Sequence, residues 1–118
     1  MTLLAAAFAL IATTVTPAKD PADAFMKKML DAVKAGSYEA FVADGTPTMK
    51  SLGKSSFGIA SAHFAPVLKK GYKTTYLARL RKKEGAITLW KLEPNGGDED
   101  YEVRVVLKDG KVDAFTMQ

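Results

Sequence analysis

The chain contains no cysteine. Disulfides, thiolate nucleophiles and Cys-ligated metals are thereby excluded. So is the lipidated cysteine that anchors a bacterial lipoprotein just after its signal. Histidine is nearly as scarce, with His63 the single example. One imidazole cannot build a His pair for a metal, and no Asp-His or Glu-His motif supplies it with a carboxylate partner. No H-E-x-x-H, G-x-S-x-G, phosphate-loop or dinucleotide fingerprint occurs. Acidic residues are missing from Gly45 to Lys83, and charge of either sign is missing before Lys19. These absences exclude the commoner catalytic and metal signatures, and no cofactor or metal is expected.

The charge-free start has its own meaning. Leu3 to Val15 is apolar apart from Thr13 and Thr14. As a helix it would span about 20 Å, short of the roughly 30 Å hydrocarbon core, so no membrane span is expected. Thr16-Pro17-Ala18 follows, with small residues at −3 and −1 of a cut after Ala18. The pattern predicts a signal peptide over residues 1–18 and a single exported domain over 19–118, soluble in the periplasm or outside the cell. Met1-Thr2 supplies no Lys or Arg n-region, the one departure from that pattern. A buried N-terminal helix is the alternative.

What remains is ordinary globular composition, 47% hydrophobic and 25% charged in 118 residues, enough for one domain with a modest core. The net charge is +4, and its layout is uneven. Nine bases lie between Gly45 and Lys83, whereas Glu84 to Gln118 holds eight acids and four bases. Two readings follow: an anionic partner, or neighbouring strands of opposite sign that pair across a sheet. Nucleic acid is not expected, because the bases are mostly lysine and no nucleic-acid motif accompanies them.

Helical signals fill the first half. Asp20-Pro21 caps a helix whose apolar stripe is Phe25, Met26, Met29, Leu30 and Val33, ending at Gly36. Ser37 caps a short helix through Tyr38, Phe41 and Val42, and Thr46-Pro47 opens another turn to Leu52. A longer helix is predicted from about Ser55 or Ser56 to Lys70. Its stripe is Phe57, Ala60, Phe64, Val67 and Leu68, and Pro66 kinks it without breaking it. Four strands follow, over Tyr72–Leu80, Ala86–Leu92, Tyr101–Lys108 and Lys111–Gln118. Turns at Glu84-Gly85, Pro94–Gly97 and Asp109-Gly110 separate them. In the first strand Tyr72, Thr74, Tyr76, Ala78 and Leu80 alternate with Lys73, Thr75, Leu77, Arg79 and Arg81. The second is apolar on both faces, so it belongs at the centre of the sheet, with Trp90 a core anchor. The expected class is α+β, with N-terminal helices packed on a curved four-strand antiparallel meander.

Several segments carry a likeness. They are Ala35-Gly36-Ser37-Tyr38-Glu39-Ala40-Phe41, Leu68-Lys69-Lys70-Gly71-Tyr72, Tyr76-Leu77, Leu89-Trp90-Lys91-Leu92 and Leu107–Val112. Together they resemble small exported bacterial domains of unknown function with a cystatin-like or nuclear-transport-factor-2-like α+β cone. The resemblance covers most of residues 20–118 and rests on turns and core positions. It implies a cone-shaped architecture and transfers no functional residue. That superfold hosts isomerases, dehydratases and pure binding modules, so it implies no reaction.

Three sets of residues are candidates for function. Tyr72, Tyr76, Trp90 and Tyr101 are expected to meet on one sheet face, where a cone would hold an apolar ligand. Ile87, Leu89 and Val106, with Arg79 and Arg104, are expected on the opposite face as an interface with a charged rim. Asn95–Asp100 is oxygen-rich but lacks ordered calcium-ligand spacing, and reads as a solvated loop. His63 falls off the apolar stripe of its helix, at its boundary or in solvent. The expected function is a non-catalytic exported binding or interaction module. It would bind a second copy of itself or another exported protein, or a small apolar or anionic ligand. The alternative is a small-pocket enzyme, isomerase- or hydrolase-like, working inside the cone.

Overall fold

A computed structural model of the chain describes residues 20–118. The expected signal segment lies outside the described residues. The chain order is α1 (Ala22–Ala35), α2 (Tyr38–Val42), α3 (Pro47–Lys50), α4 (Lys54–Lys69), β1 (Tyr72–Lys82), β2 (Gly85–Pro94), β3 (Tyr101–Lys108) and β4 (Lys111–Met117). The strands form one antiparallel meander in the order β1-β2-β3-β4. This is the α+β class expected of helices followed by consecutive hairpins.

Local chemistry explains each boundary. Asp20 Oδ1 accepts from the Ala22 N–H at 2.9 Å, with Pro21 already helical at φ −54°, which is the N-cap followed by an N1 proline. Helix α1 stops at Gly36, whose φ of 71° is left-handed and suits a residue without a Cβ. The Ser37 N–H then closes on the Ala32 carbonyl at 2.9 Å. Ser37 Oγ caps α2 by accepting from the Ala40 N–H, and Thr46 Oγ1 caps α3 by accepting from the Met49 N–H. Helix α4 begins one or two residues earlier and ends one residue earlier than predicted, and it runs through Pro66 as one helix. The β3–β4 turn is made by Asp109 and Gly110 at φ 52° and 77°. Both are positive, as a two-residue hairpin loop of the primed type requires.

All the helical burial among the described residues is on one side of the sheet. Met26, Met29, Leu30 and Val33 of α1, Phe57 and Leu68 of α4, and Phe41 and Met49 pack with Trp90, Leu92, Val103, Val105 and Val112. Trp90 is 2% exposed. The stripe of α4 differs from expectation. Phe57, Ser61 and Leu68 are buried, Phe64 is half-buried, and Ala60 is exposed. The helix is rotated toward Ser61 because its hydroxyl donates to the Val33 carbonyl at 2.8 Å. That bond lets a polar side chain close the α1–α4 contact without an unsatisfied group.

The largest departure from the expected sheet is in β1. Tyr76 pairs with Trp90, but Ala78 pairs with Leu89, so Leu77 is the extra residue of a β-bulge. A bulge inverts the alternation beyond it. Tyr72, Thr74 and Tyr76 face the helices, whereas Ala78 and Leu80 face away from them. Arg79, which pairs with Thr88, goes to the helix side.

Candidate functional site

The four aromatics share the helix side of the sheet, as expected, but differ in surroundings. Trp90 is part of the closed core, whereas Tyr76 is 47% exposed on an edge strand. Tyr72 and Tyr101 are half-buried. Burial of its ring, and then the Asp31 carboxylate, holds the Tyr72 hydroxyl above the usual tyrosine pKa. Tyr101 packs edge-to-face on Phe64 at 5.6 Å. It lines an open cleft of about 320 Å³ together with Pro66, Val67, Lys70 and the Pro94–Glu99 loop. That loop is tied to the end of α4 through the Asn95 N–H, which donates to the Gly71 carbonyl at 2.9 Å. No group of three or more acidic or histidine side chains there, or elsewhere among the described residues, is placed to hold a metal. His63 is exposed, edge-on to Phe64 at 4.7 Å.

Arg79 does not join the other four proposed interface residues. It lies on the helix side, 3.8 Å from Asp20 Oδ2. Asp20 is 4% exposed as a side chain, and Oδ1 also accepts from Thr88 Oγ1 at 3.1 Å. The carboxylate therefore joins α1, β1 and β2, and its hydrogen bonds are committed to structure. Alternation alone placed Arg79 on the wrong face, because the bulge between Tyr76 and Ala78 carries no glycine or proline to announce it.

The outer face, away from the helices, is ordered by the register. One row across it is Leu80, Ile87, Val106 and Ala114. The next is Ala78, Leu89, Arg104 and Thr116, with Leu77 beside Ala78 in the bulge. Ile87 and Val106 are themselves buried, at 4% and 8% exposure, whereas Leu77 and Leu80 stand out at 53% and 46%. The exposed apolar surface is thus shifted toward β1 relative to expectation. Lys82 and Lys108 lie at one end of this face. Thr75, Lys91 and Glu102 form the row at the other end, with Lys73 opposite Glu93 beyond it.

The basic stretch is not neutralised across the sheet. Of its nine bases, only Lys54 and Arg79 lie within 4.0 Å of a carboxylate among the described residues, and those are Glu39 and Asp20 of the helical half. The fully exposed Glu39 is held below the usual carboxylate pKa by its own backbone N–H first and by Lys54 second. Among the described residues the one ion pair made by a strand acid is Lys91–Glu93 at 3.7 Å, within β2 itself.

Two further clefts follow the β4 edge. An apolar pocket of about 150 Å³ lies between α4 and β4. Ala60 and Phe64 line it from α4 and Phe115 and Met117 from β4, with the buried Phe41 and Phe57 and the exposed Leu52 and Ser56 completing the lining. A second cleft of about 270 Å³ continues past Leu52 and Phe115 to Met49 and Asp113. No residue pattern signals either, because they depend on where α4 comes to rest beside the sheet.

No protein-family profile matches the chain, and no curated protein is significantly similar to it. No helix among the described residues is long and apolar enough to cross a membrane.

Proposed function

We propose that this protein is an exported, non-catalytic interaction module that self-associates through the outer face of its sheet. Its architecture is read as a relative of the cystatin-like and nuclear-transport-factor-2-like cones. The observation that carries the proposal is the pair Leu77 and Leu80, about half exposed beside Leu89 on a face that no described helix covers. An apolar patch rimmed by charge is a surface that a partner buries. Polarity along the face favours a second copy. A twofold axis through the Leu80 and Ala78 rows sets the Lys82–Lys108 end of one copy over the opposite end of the other, where Glu102 and Glu93 alternate with Lys91 and Lys73. Glu102 and Glu93 are then the carboxylates that Lys82 and Lys108 meet at each rim, and the alternation of sign with Lys91 and Lys73 sets the register. Arg104, exposed between Leu89 and Thr116, adds a polar contact near the centre.

The enzymatic alternative draws less support. The helix side of the sheet is occupied by Trp90, Leu92, Val103 and Val105, and Asp20 is engaged with the Ala22 backbone, Thr88 and Arg79. Sedimentation equilibrium tests the proposal. The wild type should dimerise with a Kd of ~10–100 µM, about −5.5 to −6.8 kcal/mol. Leu80→Lys and Leu89→Lys should both sediment as monomers, with Leu80→Lys keeping the wild-type circular dichroism. A wild type that stays monomeric through that range contradicts the proposal.

A further inference from the structure

The free edge of β4 makes a second surface, independent of the outer face. Glu102 and Gln118 exchange both backbone hydrogen bonds, at 2.7 and 3.0 Å. Antiparallel alternation then directs the N–H and C=O groups of Thr116 and Ala114 toward β3, and those of Met117 and Phe115 outward. The outward groups of Val112 are already taken. Its N–H donates to the Asp44 carbonyl and its carbonyl accepts from the Thr46 N–H, both at 2.9 Å. Phe115 and Met117 have no such backbone partner among the described residues. Their side chains are also the β4 wall of the 150 Å³ apolar pocket, whose other wall is Ala60 and Phe64. Unpaired backbone groups and an apolar hole therefore lie at the same two residues.

We infer that this edge binds an extended peptide segment of a partner protein by strand addition. The peptide backbone pairs with Phe115 and Met117, and one Leu- or Phe-sized side chain enters the pocket beside Ala60. Main-chain pairing supplies affinity in this mode, and the pocket supplies specificity. The size fits, because an apolar cavity of about 150 Å³ accommodates a benzene-sized group. The Val112 pairing confines the added strand to the stretch from Ala114 onward, so the recognised motif is short. A second copy of β4 is the poorer occupant. Its Phe115 is already packed on its own Phe41 at 5.3 Å and its Met117 on its own core, so it has no spare apolar side chain to place in the pocket.

A phage-displayed random-peptide library is panned against the full domain, and the most enriched peptide is synthesised with a fluorescein label. Enriched sequences should share one Leu, Met or Phe flanked by β-formers. Binding should shift the Phe115 and Met117 amide resonances and slow their exchange. Ala60→Trp, which fills the pocket from an exposed helix position, should weaken binding by about tenfold or more at unchanged Tm, as should N-methylation of the peptide amides that pair with β4. Several results would overturn the inference. One is a library with no enrichment. Another is binding that changes by less than about threefold in both variants. A third is protection of the Phe115 and Met117 amides in the free protein, which would mean that a second copy already occupies the edge.

Discussion

The two faces of the sheet are built from the same four strands yet differ in what folding leaves undone. On the helix side Trp90, Leu92, Val103 and Val105 are closed over by α1 and α4, and even the polar groups are used, Asp20 on Thr88 and Arg79, and Ser61 on Val33. On the other side Ile87 and Val106 are buried, but Leu77 and Leu80 remain about half in water, and Arg104 has no carboxylate within ion-pair distance among the described residues. The outer face therefore keeps apolar side chains that a partner could cover. A face whose apolar and polar groups are both satisfied contributes stability, whereas one left partly open has surface available to a partner.

The contrast can be broken most forcefully at Trp90. Trp90→Ala should cost about 3–5 kcal/mol, a large share of the stability of a domain this size, measured by urea unfolding. A loss under about 1 kcal/mol would mean that the helix side is not the closed core. Asp20→Ala comes next, since it strips the α1 cap and leaves Thr88 and Arg79 without their acceptor. It should cost about 1–3 kcal/mol. Leu80→Lys on the outer face should cost no more than about 0.5 kcal/mol in the monomer, because the side chain is already half exposed. Its effect should be on association alone. An equal loss at Leu80 and Trp90 would erase the distinction between the faces.

The smallest effect concerns pH. Burial raises the Tyr72 pKa above its ordinary 10.0, so the native state holds that proton more tightly than the unfolded chain does. The associated stability is complete below the unfolded pKa and is lost as pH rises from there through the folded value. Thermal melts of wild type and Tyr72→Phe should therefore diverge in pH dependence only above about pH 10, with the wild type falling more steeply. Parallel melts would mean that Tyr72 titrates alike in both states.

Much of this contrast was legible in the residues themselves, where the determinants are local. Ser37, Thr46, Gly36 and Asp109-Gly110 announce caps and a turn through chemistry that acts over a few positions. Clean alternation in Tyr101–Lys108 placed Val103 and Val105 on the closed side, with Arg104 opposite. What alternation could not see was the bulge at Leu77. It is set by how β1 registers against β2, and it sends Arg79 to a carboxylate 59 positions earlier. The rotation of α4 toward Ser61 likewise depends on the Val33 carbonyl of another helix. For the same reason the pocket beside Phe115 has no signature in the sequence, since its two walls come from Ala60–Phe64 and from β4.

One measurement bears on both faces together. A soluble nitroxide attenuates the methyl signals it can approach, and it can be read at low and high protein concentration on the same sample. The Leu77, Leu80 and Leu89 methyls should be attenuated when the protein is dilute and become shielded as it is concentrated. The Leu92, Val103 and Val105 methyls should be shielded throughout. Outer-face methyls attenuated equally at every concentration would contradict the claim that this face is where two copies meet.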